Sequence, residues 1–267
     1  MKKRFPFSCH LKTTRAIVCA ALATFSVTGC AYDSTNKFEE NGIVIYDPME
    51  EQNRRMMAFN QSVDHTILNP MIKGYRIVTP KPARTGIRNV LRHLGTPVVL
   101  TNQILQGDLS GAGKTTVRGV VNTFVGLGGL IDVAAHEGIE YESEDFGQTL
   151  GVWGVGYGPY MVVPFIGPSS MRDYGGYFAD SAMDPLRWYL SNTDRELIYA
   201  GKFSASYFDL RESLMDTLVD LENNSIDYYA TVRSIYYQNR QASILDKSNT
   251  TISAPSIPDY DDEDFDY

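Results

Sequence analysis

Between Asp145 and Arg172 lie 26 residues without a charge, Phe146 to Met171. That length suits a membrane span, since about 20 apolar residues cross a bilayer as a helix. The composition forbids one. Gly147, Gly151, Gly154, Gly156, Gly158 and Gly167 share the stretch with Pro159, Pro164 and Pro168. Relative to alanine, glycine costs a helix roughly 1 kcal/mol and proline roughly 3 kcal/mol. The segment is therefore expected to bend at its glycines instead of forming a regular helix. It presents Leu150, Val152, Trp153, Val155, Tyr157, Tyr160, Val162 and Phe165 along the way. A second uncharged stretch, Gly119 to Ile131, is punctuated by Gly126, Gly128 and Gly129. Irregular backbone at membrane depth is tolerated only against protein or a water-filled cavity. Two readings stay open: a buried core loop, or the wall or gate of a pore for an amphiphile.

The start of the chain bears on that choice. Lys2, Lys3, Arg4, Lys12 and Arg15 precede an apolar run, Ala16 to Val27, broken only by Thr24 and Ser26. A basic start, a short apolar run and small residues make an export signal, not a membrane span. Val27-Thr28-Gly29-Cys30 resembles a bacterial lipoprotein signal, whose cysteine is lipidated and becomes the new N-terminus. The alternative is an ordinary cleaved signal followed by a free cysteine. Ala31 stands where an Asp would retain such a protein at the inner membrane. The resemblance thus implies the periplasmic face of an outer membrane.

Residues 1–29 are read as the signal, 30–46 as a polar leash, 47–250 as the body and 251–267 as an acidic, disordered tail. The tail is a solvated terminus or, as the lesser reading, a docking segment. Removing the signal takes five of 24 basic residues and none of 32 acidic ones, leaving 19 against 32, a balance of −13. That sign argues against nucleic acid and against simple attraction to anionic lipid. Cys9 and Cys19 leave with the signal. With Cys30 alone, an internal disulfide, a thiol-ligated metal and a redox CxxC are excluded.

Helical periodicity dominates the body. Asp47-Pro48 is expected to start a helix, with Asp as cap and Pro in the first turn. Met56, Phe59, Val63 and Ile67 recur at a spacing of three to four, one apolar stripe, and Asn69-Pro70 is expected to end it. Further helices are expected over Gly86–Leu94, from Pro97 onward, over Thr115–Val125 and over Arg195–Leu221. A last one spans Ser225–Leu245 and carries Tyr228, Tyr229, Tyr236 and Tyr237. Alternating strand patterns are scarce, so the fold class is all-α.

Ser110-Gly111-Ala112-Gly113-Lys114-Thr115-Thr116 looks like a phosphate-binding P-loop, but Asp108 stands where that motif needs its first Gly. A turn between helices is expected there. His65, His93 and His136 show no metal-ligand spacing, and no GxSxG elbow exists. His136-Glu137 reads as a solvated helix end, because adjacent helical residues do not face each other. Glu142, Glu144 and Asp145 form a charged run with no evident partner. No enzyme, metal or cofactor is expected.

The order of motifs resembles the MlaA/VacJ lipoproteins. Tyr46-Asp47-Pro48-Met49-Glu50, Asn53-Arg54 and Phe59-Asn60 are similar to the family's opening. Pro80-Lys81-Pro82-Ala83-Arg84, Leu105-Gln106-Gly107-Asp108, and Asn122 with Gly126-Leu127-Gly128-Gly129-Leu130-Ile131-Asp132 follow. The strongest match runs Phe146-Gly147-Gln148-Thr149-Leu150-Gly151, Gly154-Val155-Gly156-Tyr157-Gly158-Pro159-Tyr160, then Pro164-Phe165-Ile166-Gly167-Pro168-Ser169 and Arg172-Asp173.

The resemblance implies a ring of amphipathic helices in the membrane plane around a central channel, with a Gly-rich hairpin. It also implies removal of phospholipid from the outer leaflet of the outer membrane and delivery to a soluble periplasmic carrier, beside a trimeric porin. The family's hinge falls on Gly154 and Gly156, and its gating position on Asn60, followed by Gln61 where an aromatic is expected. Trp153, Tyr157 and Tyr160 are the further candidates for gate or channel wall. Two other classes remain at this point: a phospholipase on the same lipids, and a structural or surface-exposed interaction lipoprotein.

Overall fold

The computed structural model describes residues 37–40 and 43–245. The signal, Cys30 and the acidic tail lie outside the described residues. The chain divides into two units, Met1–Lys37 and Phe38–Tyr267, and the fold below is that of the second. Its order is β1 (Lys37–Glu40), β2 (Ile43–Tyr46), α1 (Glu50–Val63), a π-helical turn (Asp64–Leu68), α2 (Asn69–Val78), α3 (Lys81–Gln106) and α4 (Leu109–Phe124). There follow α5 (Val133–His136), α6 (Phe146–Val152), β3 (Tyr160–Val163), β4 (Gly167–Ser170), α7 (Met171–Met183), α8 (Pro185–Asn192), α9 (Glu196–Asn224) and α10 (Tyr228–Leu245). The class is predominantly helical, as expected.

Several boundaries differ from expectation, each for a physical reason. Asp47 does not cap α1. The cap position is Met49, without a side-chain bond. Asp47 is instead buried beneath α10, accepting from Asn53 Nδ2 at 2.9 Å and from Tyr229 and Arg233. Ile45 is in the core, so packing reaches back into the segment read as a polar leash. Asn69-Pro70 does not end the first helix. Pro70 has no N–H for an ordinary helical bond, and the turn widens so that Asn69 N–H reaches Asp64 O. Pro97 likewise lies within one long α3, not between two helices. The P-loop-like residues are helical: the turn is confined to Gly107 and Asp108, and Asp108 caps α4 through Gly111 N at 2.9 Å. Nor is the uncharged stretch free of helix, since Phe146–Val152 makes two turns capped by Asp145.

Two closely packed glycines join α6 to α7. A Cβ on Gly176 would lie 2.3 Å from Gly147 N, and one on Gly147 would lie 2.9 Å from Asp173 Cα. Beside this contact Arg240 of α10 reaches both elements. It pairs with Asp145 at 2.6 Å and with Asp173 at 2.8 Å. Asp145 is therefore not partnerless, and Glu144 and Glu142 bind Gln106 and Lys114. His136 and Glu137 are exposed at the end of α5, as expected.

The core cluster joins Ile45, Met57, Tyr160, Val162, Tyr229, Val232 and Tyr237. Tyrosines dominate it through edge-to-face contacts, such as Tyr157–Tyr237 at 5.0 Å and Tyr160–Tyr229 at 6.0 Å. Around it the usual partition is reversed. Among the described residues 17 polar or charged side chains are buried against 13 hydrophobic ones. Meanwhile Ile77 (85% exposed), Phe124 (81%) and Leu197 (88%) face outward. Water alone does not favour that arrangement: burying polar groups costs energy unless they are bonded, and exposed large apolar surface marks a binding face. Most of these groups are bonded, although both polar atoms of the Gln103 side chain and the Gln148 Oε1 are buried without a partner. Glu212, for example, is buried on α9 and pairs with Arg76, Arg84 and Arg88.

Candidate functional site

Strands β3 and β4 form an antiparallel hairpin with Tyr160 opposite Ser170 and Val163 opposite Gly167. One edge of β3 pairs with β4. Its other edge meets α1, where two asparagines stand in for a neighbouring strand. Asn53 donates to Tyr160 O at 3.1 Å and accepts from Val162 N at 2.9 Å. Asn60 donates to Val163 O at 3.0 Å and accepts from Phe165 N at 2.8 Å. The spacing explains why both succeed. Seven helical residues advance about 10 Å, and three strand residues advance about 10 Å. The hairpin is thus docked along its length by side chains of one helix face.

The buried face of α1 is Asn53, Met57 and Asn60. The expected stripe of Met56, Phe59, Val63 and Ile67 is not the core face: Phe59 and Ile67 are exposed. Phe59 instead meets Phe165 at the hairpin tip, edge to face, with ring centroids 5.6 Å apart. Phe165 has φ +64°, a left-handed conformation that costs a non-glycine residue about 1–2 kcal/mol. The Tyr207 hydroxyl also donates to its carbonyl. Three side chains from two helices, α1 and α9, hold the tip in a conformation it would not choose alone. Behind it lies a cavity of about 210 Å³, lined among others by Asn60, Phe165, Ile166, Leu210, Leu214 and Val232.

Other residues singled out from the sequence lie on the segment leading to the hairpin. Trp153 is exposed; its indole N–H donates to Leu105 O at 3.0 Å. Gly154 has φ +87° with open space about it, and the space about Gly156 is also open. Only Gly154 of this pair takes the left-handed conformation. Tyr157 is partly buried; its hydroxyl donates to Gln241 at 2.9 Å and its ring lies 4.1 Å from the Arg172 guanidinium. Tyr160 is wholly buried in the core cluster. The structure thus brings Asn60 to the hairpin tip, sets Trp153 and Gly154 at the end of α6, and places Tyr160 inside. Sequence reasoning missed Asn53 and Phe165. The signal for Asn53 was its seven-residue spacing from Asn60; Phe165 carried none.

A buried polar relay connects α6 to its neighbours. Thr149 Oγ1 donates to Asn102 Oδ1 at 2.9 Å, and Asn102 Nδ2 donates to Asp180 Oδ1 at 2.7 Å. Asp180 also accepts from Phe146 N at 3.0 Å. Burial pushes the Asp180 carboxyl up to about 6, against the opposing pull of those bonds. Among the described residues no group of three or more His, Cys, Asp or Glu is placed to hold a metal ion.

These residues define a helical protein that buries many polar side chains and exposes many large apolar ones, in which no described helix is long and apolar enough to cross a membrane. The model of the family MlaA lipoprotein matches residues 45–243. The intermembrane phospholipid transport system lipoprotein MlaA of Escherichia coli (strain K12) is 36% identical over 222 residues, 82% of this chain and 84% of that one. An uncharacterized protein of Rickettsia bellii (strain RML369-C) is 34% identical over 212 residues, 79% of this chain and 82% of that one. A solved structure from work on the structural basis for maintenance of bacterial outer membrane lipid asymmetry superposes with a TM-score of 0.66. It is 38% identical, and the match covers 74% of this chain and 98% of that one. The chain belongs to the MlaA lipoprotein family.

Proposed function

We propose that this chain is an outer-membrane lipoprotein of an intermembrane phospholipid transport system. It removes misplaced phospholipid from the outer leaflet and so maintains the lipid asymmetry of that membrane. The observation that carries the reading is the reversed partition: many polar groups inside, most of them bonded, large apolar side chains outside, and no described helix able to span. Such a body suits residence within one leaflet, where its apolar faces contact acyl chains. The kinship to phospholipid-transport lipoproteins supports the same reading.

In this reading the helices form a ring around an amphipathic channel, Cys30 carries the lipid anchor on the periplasmic face, and phospholipid leaves to a soluble periplasmic carrier. A trimeric porin is the membrane neighbour. The tyrosines of α10 do not favour a contact there, because Tyr229 and Tyr237 are core residues. Asn60 acts by holding the hairpin tip, and the Gly154–Gly156 segment is the hinge that lets the tip move. The protein performs no chemistry on the lipid; release of lysophospholipid or fatty acid by the purified protein would instead indicate a phospholipase. Deleting the chain is expected to sensitise cells to detergent with EDTA. Gly154→Pro replaces φ +87° by about −65° and is expected to mimic the deletion at normal protein level. Full resistance in both strains would sink the reading.

A further inference from the structure

The P-loop-like segment that carries no nucleotide opens onto the most spacious of the described cavities, about 570 Å³, and its chemistry is that of a cation site. In a P-loop the helix N-terminus faces a phosphate. Here Asp108 holds that place, and its carboxylate already accepts from Gly111 N. Glu142 and Glu144 add two carboxylates to the lining, and Lys114 is its one cation, bonded to Glu142 at 3.2 Å. The cavity is therefore net negative. A separate observation points to a donor-bearing ligand. Gln148 lines the same cavity and is only 3% exposed; its Nε2 donates to Ser143 O and Asp145, and its Oε1 has no hydrogen-bond partner. A buried acceptor without a donor is costly, and an ammonium N–H would satisfy it.

A second cavity, about 240 Å³, adjoins the first, sharing Tyr141 and Glu144 with it. Val98, Val99 and Phe203 line this one, together with the Lys202–Asp184 pair. A polar chamber beside one with apolar side chains in its wall suits an amphiphile and not a free amine. We propose that the polar cavity at the start of α4 receives the headgroup of phospholipids bearing a primary ammonium and disfavours anionic headgroups. This rests on the phospholipid-transport reading above and adds the lipid class.

The test uses the full lipidated protein, purified in detergent and exposed to vesicles of phosphatidylethanolamine, phosphatidylcholine and phosphatidylglycerol in equal parts. Lipid retained after re-isolation is counted by mass spectrometry. Phosphatidylethanolamine should exceed each of the others about two- to fivefold, the factor given by ~0.5–1 kcal/mol of partly solvated pairing. Glu142→Gln should bring the ratio to phosphatidylglycerol toward that of the vesicles, and Lys114→Gln should raise it. Both side chains are substantially exposed, so both variants should fold. Retention in equal parts, or a preference that neither variant moves, overturns the proposal. Retention of no phospholipid at all would contradict the transport reading itself.

Discussion

At the residue scale, the strongest constraint is Arg240. It closes one ion-pair cluster over Asp145, which caps α6, and Asp173, which lies in the first turn of α7. Burial pushes the Asp145 carboxyl up, and Arg240 overrides it, holding it below the usual range. Removing the arginine leaves Asp173 with Arg172 and leaves Asp145, whose side chain is partly exposed, with only Gln148, which costs about 1–3 kcal/mol. Arg240→Met should therefore lower stability by that amount in a denaturant titration. Arg55→Met, which breaks the exposed Arg55–Glu51 pair, should cost less than about 1 kcal/mol. Asp180 has the opposite sign. Its folded carboxyl titrates near 6 and its unfolded one near 3.8, so between those values the native state holds a proton that the unfolded state has released. Its contribution to stability is full below that window and is lost as pH rises through it. The melting temperature of wild type relative to Asp180→Asn should fall across the window; a constant difference would contradict the assignment.

At the element scale, the long helices were legible in the sequence and their interruptions were not. The pattern over Arg195–Leu221 gave most of α9. Pro70 reads as a helix end and Pro97 as a helix start, because proline removes a helical bond locally. The chain absorbs each loss, at Pro70 by a π-helical turn and at Pro97 within α3. Helix α6 was hidden because Gly147 and Gly151 lower propensity over Phe146–Val152, while tertiary contact decides the outcome. Gly147 lies against Gly176 so closely that no side chain fits between them. Gly176→Ala should thus cost about 1–3 kcal/mol by overpacking. Gly175→Ala, one residue away with open space about it, should be neutral or gain up to about 1 kcal/mol in helix propensity. Equal effects at the two positions would remove the claim of close α6–α7 contact.

Across the whole molecule, the apolar residues are legible in the sequence but the face they present is not. The apolar stripe on α1 exists, but Phe59 and Ile67 point outward while Asn53 and Asn60 point in. Periodicity reports that a helix has two faces; it does not report which one meets protein. In water the apolar face would be buried. In a leaflet it meets acyl chains, and the interior can be polar provided its groups are bonded, as around Glu212 and Asp47. The same reversal explains the second uncharged stretch, whose Phe124, Val125, Leu127, Leu130 and Ile131 are all exposed. The hairpin dock depended on contacts more than a hundred residues apart, such as Asn53 with Tyr160, and spacing within one helix does not reveal them. The direct measurement is the phospholipid content of the outer leaflet in cells lacking this chain, assayed with a headgroup-reactive reagent that does not enter the cell. The account predicts a rise that wild-type protein reverses and Gly154→Pro does not. An outer leaflet unchanged by the deletion would contradict it.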